Sequence, residues 1–168
     1  MPEPDANDKP DAQLSLILRL RQQLEDTRRL CSGLTEEMLA KRVIPDKWSL
    51  KELICHLRRV QQVFEGRVEA MLASDNPAIE PYDPDEDTEF EKAAARPAAE
   101  IMAGLTSGRE RLLSRLHALR PEEWRRKGTH PDFADYDVHF QIEYMMHHEA
   151  HHLYQMYQRR AILGKAPQ

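Results

Sequence analysis

Apolar residues recur at helical spacing over most of this chain and mark out four long amphipathic segments, separated by connectors rich in proline, glycine or acids. In the first, Leu14, Ile17, Leu18, Leu20, Leu24 and Leu30 keep the helical period, with Asp11 as the candidate N-cap and Gly33 as the stop. Thr35-Glu36-Glu37-Met38-Leu39 reads as a short capped turn before Pro45 interrupts. The second long helix has a fixed start, because Ser49 and Glu52 form a capping box and Trp48 stands at the apolar position before it. Its stripe runs through Leu53, Leu57, Val60, Val63 or Phe64, Val68 and Met71. A third helix is expected over 98–119, where Gly104 and Gly108 either weaken it or admit a close neighbour. Shorter turns are expected over 91–96 and 121–124. The last helix runs from a cap at Asp135 or Asp137 to about Leu163, where Gly164 stops it. Four long helices without a credible strand run predict an all-α fold, a four-helix bundle with long crossover connections.

The connectors refine this picture. Residues 1–10 contain three prolines and four charged residues with almost nothing apolar to bury, so they read as a disordered N-terminal tail. Residues 11–164 then form a single domain, in keeping with a length of 168. The segment 74–91 is irregular, with Pro77, Pro81 and Pro84 and the acidic run Asp83-Pro84-Asp85-Glu86-Asp87. It lacks the glycine and terminal glutamate of an EF-hand and reads as a solvated loop, long enough to serve as a lid.

Charge narrows the partners. The net charge is −5, with 24 basic residues dispersed among 29 acids, so no basic surface points to nucleic acid. No segment approaches the about 20 apolar residues of a membrane span, and the N-terminus lacks the apolar core of a signal peptide. A soluble, cytoplasmic protein is expected, with no membrane partner. Cys31 and Cys55 lack CxxC spacing and read as reduced structural thiols, although Cys55 directly precedes a histidine that matters below.

Candidate chemistry lies in the last helix, where His147, His148, Glu149, His151 and His152 fall within six consecutive positions. Residues four apart share a helix face, so two pairs are available, His147 with His151 and His148 with His152. An i, i+4 pair of imidazoles offers two ligands to a late divalent ion and needs a third from elsewhere. At about 100° per residue, Val138, Ile142, Met145, Leu153, Met156 and Leu163 define the inward arc, with His152 at its edge and His148 beside it. His147 and His151 fall farther round. The third ligand is His56, which interrupts the stripe of the second helix three residues after Leu53 and four before Val60. Taken alone, His56 reads as a core histidine satisfied by a neighbour; with the pair, it completes a three-histidine site with open positions, as in catalytic rather than structural centres. Glu149 falls near the middle of the inward arc, where an unpaired carboxylate is costly. It is expected to handle a proton as a catalytic base, with a fourth ligand, a partner to a histidine N–H, or an arginine ion pair as alternatives.

Lys47-Trp48-Ser49 followed by His56-Leu57, together with His148-Glu149-Ala150-His151-His152-Leu153-Tyr154-Gln155 and Thr129-His130-Pro131, resembles the DinB/YfiT-like superfamily over about residues 14–163. The resemblance implies a four-helix bundle holding a divalent ion, Zn²⁺ or Ni²⁺, on His56, His148 and His152, and it implies a homodimer. It also implies thiol-dependent S-transferase chemistry on a small electrophile, with a low-molecular-weight thiol as partner. A metal-dependent hydrolase and a non-enzymatic stress-response or interaction protein with a structural metal are the alternatives. In either enzyme the ion would acidify a bound thiol or water.

Overall fold

Three of the four long helices start or stop where a side chain or glycine can satisfy the open backbone ends. The computed structural model describes residues 9–164. The expected tail lies outside these, except that Lys9 and Pro10 open helix α1 (Lys9–Cys31). Asp11 is therefore not the cap; proline is accepted in a first helical turn because its missing N–H has no partner there anyway, which lets the helix begin earlier. Gly33, at φ +70°, ends α1 as expected. The turn α2 (Glu36–Ala40) is capped by Thr35. Helix α3 (Leu50–Ala73) starts at the Ser49–Glu52 capping box, with both reciprocal hydrogen bonds formed. After a short helix α4 (Phe90–Ala94) come α5 (Ala98–His117) and α6 (Val138–Ile162). Asp137 caps α6 by accepting the Phe140 N–H at 2.8 Å, and Gly164 follows its end at φ +71°.

The four long helices form the expected bundle. Helix α3 packs on α5 and α6, and α1 packs on the same two helices, so α1 and α3 face each other across the diagonal. Of the consecutive long helices only α3 and α5 are then neighbours; the connections from α1 to α3 and from α5 to α6 must cross the bundle. Gly104 and Gly108 are points of close approach: an added Cβ at Gly104 would lie 2.2 Å from the Arg58 guanidinium, and one at Gly108 would lie 2.5 Å from Gln61 Nε2.

One element departs from the all-helical expectation. Strands β1 (Lys127–His130) and β2 (Phe133–Asp137) form an antiparallel hairpin turning at Pro131-Asp132. Four- and five-residue strands are too short to display alternation in the sequence, and this pair draws support from outside itself. The segment after α3 pairs with β1, Thr129 donating to the Pro77 carbonyl and Ile79 to the Thr129 carbonyl, each at 2.8 Å.

The interior divides into two apolar clusters. One gathers Leu20, Phe64, Met71, Leu116, Trp124 and Ile142; the other gathers Leu24, Leu53, Ile54, Ile101, Leu105 and Met156. Between their levels, every long helix contributes a buried polar side chain: Gln23, Gln61, Arg109 and Glu149. Arg109 is fully buried and donates to Gln61 Oε1 at 2.7 Å, to the Leu20 carbonyl at 2.6 Å and to Glu149. Gln23 donates to the Met146 carbonyl at 2.9 Å. The four groups link all four helices at one height, since buried polar atoms require partners.

Candidate metal centre

The two caps set the rotational phase of the helices that carry the site. With α3 starting at Leu50, His56 points inward alongside Leu53 and Val60 and is 3% exposed. With α6 starting at Val138, His148 and His152 present successive imidazoles toward α3. The Nε2 atoms of His148 and His152 are 3.1 Å apart, those of His148 and His56 3.4 Å, and the three candidate ligand atoms all lie within 4.8 Å of one another.

Burial holds all three rings below the ordinary histidine range. His56 is lowered to about 3, chiefly by desolvation and then by the proximity of His152 and His148. His148 is lowered to about 4 for the same first reason, with His152 and His151 adding to it. His152 is also lowered by burial, against the opposing pull of its hydrogen bond to Gln155. Neutral imidazoles are the form that ligates metal.

The tautomers suit the same purpose. His152 Nδ1 lies 2.8 Å from Gln155 Oε1, an acceptor, so the ring proton sits on Nδ1 and the Nε2 lone pair faces His148. The Gln155 amide nitrogen in turn lies 3.2 Å from His151 Nε2. Gln155 thus orients a candidate ligand through its far nitrogen, as outer partners of metal-binding histidines do. Its only signal in the sequence is the i, i+3 spacing from His152. Three convergent Nε2 atoms offer a cation three lone pairs when each ring carries its proton on Nδ1, as His152 does. With metal–nitrogen distances of 2.0–2.1 Å and tetrahedral angles, ligand nitrogens stand about 3.3 Å apart. Two of the three separations, 3.1 and 3.4 Å, bracket that spacing and the His56–His152 pair lies within 4.8 Å, so this donor set can close on a divalent ion.

The remaining candidates separate cleanly. His147 and His151 are exposed, as the inward arc predicts. Cys55 is buried in the second apolar cluster and outside the histidine group, its thiol pushed up to about 11 by desolvation. Glu149 is 2% exposed, so the arc is right about its direction, but its carboxylate goes to Arg109 and not to the histidines. The expectation that it handles a proton at the metal is corrected by this placement: one residue along the helix from His148 is a turn of about 100°, which aims it into the bundle axis.

The histidines lie at the floor of a cavity of about 440 Å³, within the range of small-molecule sites. Trp48, placed by sequence at the helix start, stacks toward His56 with ring centroids 4.8 Å apart. Phe64, Phe133, Tyr136 and Tyr144 form an aromatic wall, and His130, from the hairpin, joins them. The opposite side comes from the irregular segment, through Pro81, Tyr82 and Pro84. That segment is less solvated than its acids suggest. The Asp87 side chain is only 6% exposed, bound by Arg59 and by the Tyr82 hydroxyl at 2.9 Å, which straps the loop onto α3.

Comparison with known proteins agrees with this architecture. The uncharacterised protein YuaE of Bacillus subtilis (strain 168) is 27% identical over 137 residues, covering 74% of this chain and 84% of that protein. The structure of YfiT from Bacillus subtilis, described as a probable metal-dependent hydrolase with an unusual four-helix bundle topology, superposes with a TM-score of 0.83. It has 18% identity and covers 98% of this chain and 95% of the YfiT chain. Among the described residues no helix is long and apolar enough to cross a membrane. Residues 19–156 match the DinB superfamily, and the chain belongs to it.

Proposed function

We propose that this protein is a divalent-metal-dependent hydrolase of small molecules, with His56, His148 and His152 as the metal ligands and Zn²⁺ or Ni²⁺ as the ion. The observation that carries the reading is the convergence of three neutral imidazole nitrogens on the floor of an open cavity. A bundle clamp would bury its metal behind a fourth protein ligand; among the described residues three ligands gather here, and all three line the cavity. The description of YfiT as a probable metal-dependent hydrolase supports the same class.

The chain's own residues divide the work. Gln155 fixes the His152 tautomer, and Trp48 packs beside His56, so two ligands are held before any substrate arrives. Phe64 and Tyr144 pack edge-on and stacked against His148, with centroids at 5.9 and 6.4 Å. This wall displaces water from one side of the site. When bound, the ion polarises a substrate oxygen and acidifies the nucleophile beside it.

The test combines metal content with turnover. Protein purified without an affinity tag should carry about one divalent ion per chain, and its hydrolysis of small ester or amide substrates should vanish with chelator and in His56→Ala. Undiminished turnover in metal-free protein overturns the reading. Turnover that appears only with an added low-molecular-weight thiol assigns S-transferase chemistry instead.

A further inference from the structure

Arg67 is the cation that the cavity leaves without a counter-charge. It stands on α3, on the same face as His56 and Phe64, and lines the same cavity as the histidines. Its guanidinium carbon sits over the Phe64 ring, 5.3 Å from the centroid, and the same ring packs nearly perpendicular to His148 with centroids 5.9 Å apart. Cation and histidines thus flank one phenyl ring within a single cavity of about 440 Å³, a space for a small molecule.

The contacts of Arg67 are all to neutral groups. Nη2 donates to the Glu80 carbonyl at 2.7 Å, while Nη1 reaches the Tyr136 hydroxyl at 3.5 Å and Gln141 Oε1 at 3.4 Å. Nε has no acceptor among the described residues. Charge-assisted hydrogen bonds settle at about 2.7–2.9 Å, so Nη1 still has capacity for a better acceptor. Arg59, two turns earlier on the helix, has its carboxylate in Asp87; Arg67 forms no ion pair among the described residues. The acid that lines the cavity, Asp132, has a side chain 71% exposed and lies beside His130.

His130 adds a second donor. Its Nδ1 accepts the Asp132 backbone N–H at 3.1 Å, and burial together with the nearby Arg67 charge holds the ring neutral. The proton then sits on Nε2, which is a donor. A guanidinium, a ring N–H and an aromatic wall recognise an anionic head joined to an apolar body.

We propose that the cavity takes a small carboxylic acid, its carboxylate held by Arg67 and the His130 ring N–H, its body against Phe64 and Tyr144, and its reacting end at the three histidines. The position of the reacting end rests on the proposed function. The carboxylate subsite does not, because none of its donors is a proposed metal ligand.

Metal-free protein keeps the two ideas apart. Binding of hydrocinnamate and of its neutral amide is followed by Trp48 fluorescence and by the side-chain ¹⁵N resonances of Arg67. The acid should bind at least about tenfold more tightly than the amide, as one charge-assisted pair warrants. Arg67→Gln should abolish the preference and Arg67→Lys should keep part of it. In the wild type the Arg67 resonances should shift with the acid and not with the amide, a readout that needs no variant to fold. Equal affinity for acid and amide overturns the proposal, as does a preference that survives Arg67→Gln. A preference that appears only in Zn²⁺-loaded protein also overturns it, because the carboxylate would then be binding the metal. Failure of metal binding with an intact acid preference would sink the metal reading alone.

Discussion

Replacing Glu149 by alanine removes the carboxylate that, among the described residues, forms the ion pair with the fully buried Arg109 guanidinium. What remains hydrogen-bonded to Arg109 is Gln61 Oε1 and the Leu20 carbonyl, both neutral, with the half-buried Glu65 acting on it only through its field. Removing one partner of a buried ion pair costs about 3–5 kcal/mol, because the surviving charge is neither solvated nor paired. Against a total stability of about 5–15 kcal/mol for a domain, that is a large fraction. With a urea m-value of about 2 kcal/mol/M, the unfolding midpoint should fall by about 2 M. Glu149→Gln keeps shape and one hydrogen bond and should lose about half as much. The Arg109→Met/Glu149→Leu double variant removes both charges, so it should be more stable than the sum of its single variants by more than about 2 kcal/mol. Cobalt affinity of Glu149→Gln should stay within a few fold of wild type, since this carboxylate does not reach the histidines. If Glu149→Gln kept its urea midpoint but lost metal-dependent turnover, Glu149 would belong to the chemistry and the structural assignment would be wrong.

Other perturbations test other parts of the molecule. Saturating Zn²⁺ at a thousandfold over its dissociation constant should stabilise the fold by about 4 kcal/mol, seen as a rise in melting temperature that chelator reverses and His148→Ala eliminates; a melting temperature indifferent to metal argues against the site. In the metal-free protein, folded His56 and His148 titrate near 3 and 4, whereas unfolded histidine titrates near about 6.5. The unfolded state therefore binds more protons across that window, and the urea midpoint should drop as pH falls from about 7 to 4; a flat profile contradicts the burial of neutral imidazoles. Gly104→Ala meets only the end of Arg58, a flexible half-buried side chain, and should be near neutral because helix propensity offsets the contact. Gly108→Ala pushes on Gln61, which Arg109 holds in place, and should lower the urea midpoint measurably more.

What the sequence showed of this protein is what helical phase can show. Ser49 with Glu52 and Asp137 fix where two helices begin, and from those origins the inward faces of His56, His148 and His152 follow by rotation alone. The same rotation placed Glu149 inward but could not name its partner, because Arg109 lies forty residues earlier, inside the run Arg109-Glu110-Arg111 that looks solvated. A carboxylate in mid-arc did require a cation, and that requirement was the available signal. The hairpin and the strapped loop escaped for a different reason. Their order comes from long-range pairs, Thr129 with Pro77 and Arg59 with Asp87, rather than from any local period. Those two segments also supply His130, Tyr136 and Tyr82, so the cavity walls were hidden while its floor was legible.

The doubled histidines on α6 pose a problem of register that the polar layer answers. His147/His151 and His148/His152 are offset by one residue, so a rotation of α6 by about 100° would exchange which pair faces His56. Apolar packing discriminates weakly between these settings, because methionines at 145 and 146 adapt to either. Such a rotation would take the Glu149 carboxylate away from Arg109 and the Met146 carbonyl away from Gln23, leaving two buried groups unpaired. The ion pair thus pins the helix as buried polar residues pin the register of coiled coils, with specificity rather than net stability as its contribution. The Arg109→Met/Glu149→Leu variant separates the two roles: it should keep its urea midpoint but hold cobalt less tightly, with the spectrum of a mixed site. A variant equally stable and equally tight would leave the pair with an energetic role only, and the aim of His148 and His152 would have to come from their own packing against Phe64 and Trp48.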